Sequence, residues 1–280
     1  MNLLGFDTST DLLCAGLIVA GPAGPRTVHE LCIDSAMRHA ELLIDCVDTL
    51  CRLAGIGTRE INAVVCGRGT VQNVSKYVLM GSSSNFGNMF SMAGAALILP
   101  FLPMLPIQIL LNNLLYDISE IAIPFDEVDA ESIARPVRWD IKFIERFMLV
   151  FGPVSSVFDF ITFYVLLHLF GAGEALFQTG WFIESITTQV LVVFAIRTRR
   201  PIFRSKPRLF LAAMAFGVVA IAIALPMLPV GRWLGFVAPP PLFFVFLVSA
   251  TLAYLAIVEI AKRIFYRTKA GEIASGHAHI

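Results

Sequence analysis

Asn85, Asn88, Asn113 and Asp117 are the residues of this chain whose types and spacing could bind an ion. Asn85 and Asn88 are three positions apart and Asn113 and Asp117 four apart, so on helices each pair shares one face. Amide and carboxylate oxygens gathered from two such faces suit a hard cation such as Mg²⁺ or Ca²⁺ rather than a soft metal. Ser82, Ser83 and Ser84 precede the first pair, and Asn112, Ser119 and Glu120 flank the second, all within apolar runs. Such groups are costly in lipid, so they face a bundle interior or a water-filled cavity. The competing reading is hydrogen bonding between helices, a common use of Ser and Asn in bundles. Asp117 favours a cation, because such bonding does not require a carboxylate. Asp159 and Glu184 are further intramembrane acids, which either line an exit path or make satisfied helix contacts.

These residues must be positioned by membrane helices. The 280 residues are 57% hydrophobic with a mean hydropathy of +0.76, and 15% are charged, against about 25% in a soluble domain. A formal charge of zero argues against nucleic acid as a partner. A hydrocarbon core of about 30 Å needs about 20 apolar residues per helix. Six segments qualify, at 76–99, 106–123, 144–169, 180–197, 208–228 and 241–262. Pro100, Pro103 and Pro106 turn the first pair into a hairpin. Lys and Arg gather after the second span (Arg135, Arg138, Lys142, Arg146), after the fourth (Arg197 to Arg208) and after the sixth (Lys262, Arg263, Arg267, Lys269), whereas the opposite loops hold only Arg232. Both ends of the helical block are therefore expected in the cytoplasm.

The first seventy residues read differently. All five cysteines lie there, whereas all three tryptophans and every phenylalanine except Phe6 follow. "NLLGF", "LLCAGLIV" and "TVHELCI" are β-prone runs separated by the turn clusters "DTST" and "AGPAGP". A helix over 36–54 sets Leu42, Leu43, Cys46, Val47, Leu50 and Leu53 on one stripe and ends at Gly55, and "INAVVCG" returns as a strand. The order is βββαβ. With no C-x-x-C spacing, the cysteines read as reduced core thiols.

"GFDTST", "RHAELL" and "AVVCGRG" in that order resemble the actin-like, ribonuclease-H-like scaffold subunit of the bacterial machinery that makes threonylcarbamoyladenosine in tRNA. The resemblance covers residues 1–69 and stops where the family continues into a second lobe. It leaves the turn at Asp7, Thr8, Ser9 and Thr10 without an opposing wall, so the turn reads as an ordinary one, with His39 and Glu41 on a solvated helix. "KYVLMGSSSNFGNMFSMAGAALILPFLPMLPIQILLNNLLYDISEIAIPFDEVD" and the segments through "EALFQTGWFIESITTQVLVVFAIRTRR" resemble the C-terminal transmembrane helices, five onward, of a magnesium-translocating P-type ATPase. The family's S-S-N-x-G motif falls on Ser83 to Gly87 and its N-L-x-x-D motif on Asn113 to Asp117, which implies Asn85, Asn88, Asn113 and Asp117 as ion ligands. Asn88 stands where calcium pumps of the superfamily carry a glutamate.

The resemblances imply a truncated α/β lobe over 1–69 and a pump transmembrane domain over 70–280, meeting at Gly67, Arg68 and Gly69 as a chimera. Mg²⁺ is the implied transported ion, and the lipid bilayer of the bacterial inner membrane and the pump's other domains, or an intact pump, are the implied partners. The 280 residues contain no D-K-T-G-T, T-G-E-S or G-D-G-x-N-D motif, so no ATP site is expected and the polypeptide is not expected to pump alone. The alternative is a membrane-tethered scaffold of tRNA modification acting through the first lobe.

Overall fold

The computed structural model describes residues 2–7, 12–19, 27–34, 39–66, 68–126 and 141–267. Thr8, Ser9, Thr10, Gly67, Arg135, Arg138 and Lys269, named above, lie outside the described residues. The chain forms two compact units that part within one helix, between Ser75 and Lys76.

In the first unit β1 (Leu3–Asp7), β2 (Leu12–Val19) and β3 (Thr27–Asp34) form an antiparallel meander, and β4 (Ala63–Cys66) joins β1 in parallel, giving the sheet order β3-β2-β1-β4. Helix α1 (His39–Ala54) lies between β3 and β4 in the chain, so the elements follow the expected βββαβ order. Period-two alternation sends Leu13, Ala15 and Leu17 of β2 into a core with Leu4, Cys46, Leu50 and Cys51. Gly55 ends α1 at φ +66, a conformation that costs glycine little. Two expectations change. Leu53 is 62% exposed and Cys51 takes the buried place, because the buried arc runs through Cys46, Leu50 and Cys51 and leaves Leu53 at its edge. Cys14 and Cys32 are joined in a disulfide rather than reduced, because the β2–β3 register sets them directly opposite with Cα atoms 4.2 Å apart. Cys46 and Cys51 are free, and burial, with Asp45 beside Cys46 and Asp48 beside Cys51, pushes both thiols above their ordinary range.

The second unit is helical. It takes in all but the first turns of α2 (Arg68–Ile98), then α3 (Pro106–Glu120), α4 (Ile141–Tyr164), α5 (Glu174–Leu191), α6 (Leu209–Ala224) and α7 (Pro241–Arg267). A π-helical stretch, Val165–Leu169, extends α4, and a turn, Val193–Ile196, extends α5. Among the described residues four stretches are long and apolar enough to cross a membrane: Ile141–Leu169, Glu174–Ile196, Leu209–Met227 and Pro241–Arg267. The first two of the six expected spans fall outside that set. Its helix α3 has only 15 residues, and α2 carries the serine and asparagine run that lowers its hydropathy.

Small residues set how closely α2 meets α4. A Cβ at Gly87 would lie 3.0 Å from the Gly152 carbonyl oxygen and 3.1 Å from Ser155 Cβ, and the Ser156 hydroxyl donates to the Gly87 carbonyl at 3.0 Å. Backbones this close are the usual reason for glycine between membrane helices. Gly87→Leu is therefore expected to lower stability by about 1–3 kcal/mol, read as thermal unfolding in detergent. Gly217→Leu, on α6 where a Cβ meets nothing within 4 Å, should change little, and equal losses at the two sites would sink the close-packing account.

Candidate functional site

A cavity of about 780 Å³ lies in the helical unit, and Asn85, Asn88, Asn113 and Asp117 all line it. The first two come from α2 and the last two from α3, and helix periodicity keeps each pair on the cavity side. Asn85, Asn113 and Asp117 are exposed where the cavity opens, and Asn88 is half-buried. α3 is held at its start by Gln108, whose side-chain oxygen accepts from the Leu105 N–H at 3.2 Å while its amide donates to the Leu234 carbonyl at 3.1 Å. Among the described residues no three His, Cys, Asp or Glu side chains come together, so a cation here would be held largely by amides.

The wall includes residues that spacing did not single out. Trp181 and Ser185 of α5 line it, as does Tyr116 of α3. Asn88 Oδ1 accepts from Gln189 Nε2 at 3.0 Å and from the Ser185 hydroxyl at 3.4 Å, so this amide also ties α2 to α5. Asn112, expected one position off the ion-facing side, lines the cavity as well. It is 4% exposed and its Oδ1 has no hydrogen-bond partner among the described residues, which marks it as a further candidate oxygen ligand. Neighbouring positions on a helix are about 100° apart, so a wide cavity takes both.

The remaining polar residues of the two helices are used differently. The Ser83 hydroxyl donates to the Leu79 carbonyl at 2.8 Å and that of Ser119 to the Tyr116 carbonyl at 2.7 Å, each within its own helix. Glu120 is buried, with Oε1 3.7 Å from where a Gly81 Cβ would stand. Asp159 and Glu184 lie behind the cavity wall, on α4 and α5, and are fully buried.

The family model for the C-terminus of cation-transporting ATPases matches residues 101–264. The chain belongs to that family. Asn113 and Asp117 fall inside the matched stretch, whereas Asn85 and Asn88 precede it. Among curated relatives, the "Magnesium-transporting ATPase, P-type 1" of Salmonella typhimurium strain LT2 is 43% identical over 209 residues, covering 73% of this chain and 23% of the relative. The protein of the same name from Escherichia coli K12 is 44% identical over 209 residues, with the same coverage. The "Calcium-transporting ATPase" of Bacillus subtilis is 27% identical over 152 residues, covering 52% of this chain and 17% of the relative. The chain thus spans under a quarter of the length of these relatives.

Within this cation-transporting ATPase C-terminal segment, a second polar centre escaped the spacing argument. Asp126, fully buried just after α3, accepts from Lys76 Nζ of α2 at 2.9 Å, from Arg197 Nη1 at 2.6 Å and from the Arg208 backbone N–H at 3.3 Å. Arg197 also donates to the Ser205 hydroxyl at 2.8 Å, and Arg208 Nη1 to the Phe125 carbonyl at 3.2 Å. Read along the sequence, Arg197 and Arg208 belong to a basic loop. Their convergence on one acid, Arg197 by its buried side chain and Arg208 by its backbone N–H, depends on where the loop folds back, which spacing does not show.

Proposed function

We propose that this chain is the ion-binding membrane half of a magnesium-type P-type pump, with Asn85, Asn88, Asn113 and Asp117 as the cation ligands and Asn112 as an added one. The observation that carries the reading is the shared cavity: four residues chosen by type and spacing line one space whose oxygens suit a hard divalent cation. The magnesium transport for which the relatives at 43% and 44% identity are named supports Mg²⁺ as that cation. On this reading α2 and α3 are the first two of six spans. Their asparagines and Asp117 face the cavity and Ser83 and Ser119 bond to their own helices, which lets less apolar helices cross a bilayer. Both ends of the helical block then face the cytoplasm of a bacterial inner membrane. The partners are the lipid bilayer and the pump's phosphorylation and nucleotide domains, in the same or another polypeptide. With no phosphorylatable D-K-T-G-T among them, these 280 residues by themselves do not couple ATP to transport.

The test is a hybrid pump in which residues 76–267 replace the corresponding stretch of the Salmonella relative. Expressed in a strain lacking Mg²⁺ uptake, it should restore growth at limiting Mg²⁺. A hybrid that inserts in the membrane yet supports only Ca²⁺-dependent phosphorylation would overturn the ion assignment.

We infer a separate origin for residues 1–69. The sheet order β3-β2-β1-β4 with β4 parallel to β1 supports an actin-like lobe fused at Gly67–Gly69, with a tRNA-modification partner as the alternative role of the whole chain. A genomic read running unbroken through codons 60–80, with a matching transcript, establishes the fusion, and two separate genes would end it.

A further inference from the structure

Asp159 of α4 and Glu184 of α5 are 2% and 1% exposed, and their carboxyl groups lie within hydrogen-bonding reach of each other. Their surroundings differ. Asp159 receives two donors: the Ser91 hydroxyl reaches Oδ2 at 2.6 Å and the Trp181 indole N–H reaches Oδ1 at 2.9 Å. Among the described residues neither carboxyl oxygen of Glu184 has a hydrogen-bond donor placed on it. Thr188, one turn on, gives its hydroxyl to the Glu184 and Ser185 backbone carbonyls at 2.9 and 3.1 Å. Among the described residues the other titratable group facing the pair is Tyr254 of α7, which carries no positive charge. Among the described residues neither acid is in a salt bridge.

Two neighbouring carboxylates in a medium of low dielectric, with no salt-bridging cation among the described residues, do not both stay ionised. Two donors aimed at Asp159, against the single Thr188 hydroxyl already shared with two backbone carbonyls beside Glu184, favour the proton on Glu184, because donors stabilise the charged form and an O–H needs an acceptor. We propose that Asp159 and Glu184 form a proton-binding site, in which Glu184 carries the proton and donates it to the Asp159 carboxylate. The otherwise unpartnered Glu184 then gains a partner, and Asp159 accepts three charge-assisted hydrogen bonds, from Ser91, Trp181 and Glu184. The site is distinct from the cation cavity and stands behind its wall, since Trp181 both lines the cavity and donates to Asp159. The inference does not depend on which ion, if any, the cavity takes.

Infrared difference spectroscopy of the full chain in lipid nanodiscs at neutral pH reads this directly. The C=O stretch of a protonated carboxylic acid should be present and lost in Glu184→Gln. In Asp159→Asn it should persist but move, because its acceptor has changed. Carboxyl-¹³C glutamate should shift the band, and carboxyl-¹³C aspartate should leave it in place. If Glu184→Gln fails to fold, the labelled band is read instead in Glu120→Gln, which removes the other deeply buried glutamate among the described residues. A band that follows the aspartate label, the absence of any glutamate-sensitive band in the Glu120→Gln chain, or disappearance of the band on addition of Mg²⁺ would each overturn the assignment, the last by giving the pair to a metal rather than a proton.

Discussion

Asp117→Asn is expected to abolish ion-stimulated phosphorylation of a pump carrying this segment while leaving membrane insertion intact. Of Asn85, Asn88, Asn112, Asn113 and Asp117, all on the cavity, Asp117 alone has a formal charge, so most of the attraction for a divalent cation comes from it. The substitution keeps shape and hydrogen bonding and removes that charge, and a neutral amide is cheaper to hold in the membrane than a carboxylate. Asn112→Ala, which spacing alone would offer as a neutral control, should instead weaken ion affinity measurably, since its oxygen is buried at the same cavity without a partner. Ser119→Ala is the proper control. Its hydroxyl serves the Tyr116 carbonyl of its own helix, so its removal should cost about 1 kcal/mol or less in stability and leave ion affinity unchanged. Normal transport by Asp117→Asn, read as Mg²⁺-dependent phosphoenzyme, would return the polar residues of α2 and α3 to a helix-joining role.

The second large effect is expected at Asp126, and it is one of stability. Asp126→Ala should cost about 3–5 kcal/mol, the usual consequence of removing one member of a buried ion pair. The Arg197 side chain is 2% exposed and that of Lys76 10%, so both cations would lose a carboxylate in a place where water cannot replace it. Arg263→Ala provides the comparison. That side chain is 58% exposed, pairs with Glu259 one turn away, and its loss should stay within about 0.5 kcal/mol. Denaturant or thermal unfolding in detergent measures both. A loss at Asp126 no larger than at Arg263 would mean that the cluster is solvated and does not hold the loop after α5 against α2.

Much of the fold was legible in one dimension because it rests on local pattern. Alternating apolar residues announced β1 to β3, the stripe through Cys46 and Leu50 announced α1, and apolar runs announced α4 to α7. The ion-facing residues were legible for a related reason. A polar side chain inside an apolar run is costly wherever the run lies in lipid, and three- and four-residue spacings show which of them share a face. One dimension thus carries the character of each segment and the pairing of residues along one helix. Partners between segments were decided by tertiary structure alone. Register placed Cys14 opposite Cys32, loop path brought Arg197 and Lys76 to Asp126, and the packing of α2, α4 and α5 set Ser91, Asp159, Trp181 and Glu184 together. Such contacts join residues up to 126 positions apart, as at Gln108 and Leu234. They depend on helix separation and rotation, which small residues such as Gly87 tune by fractions of an ångström and which no periodicity along a single chain records.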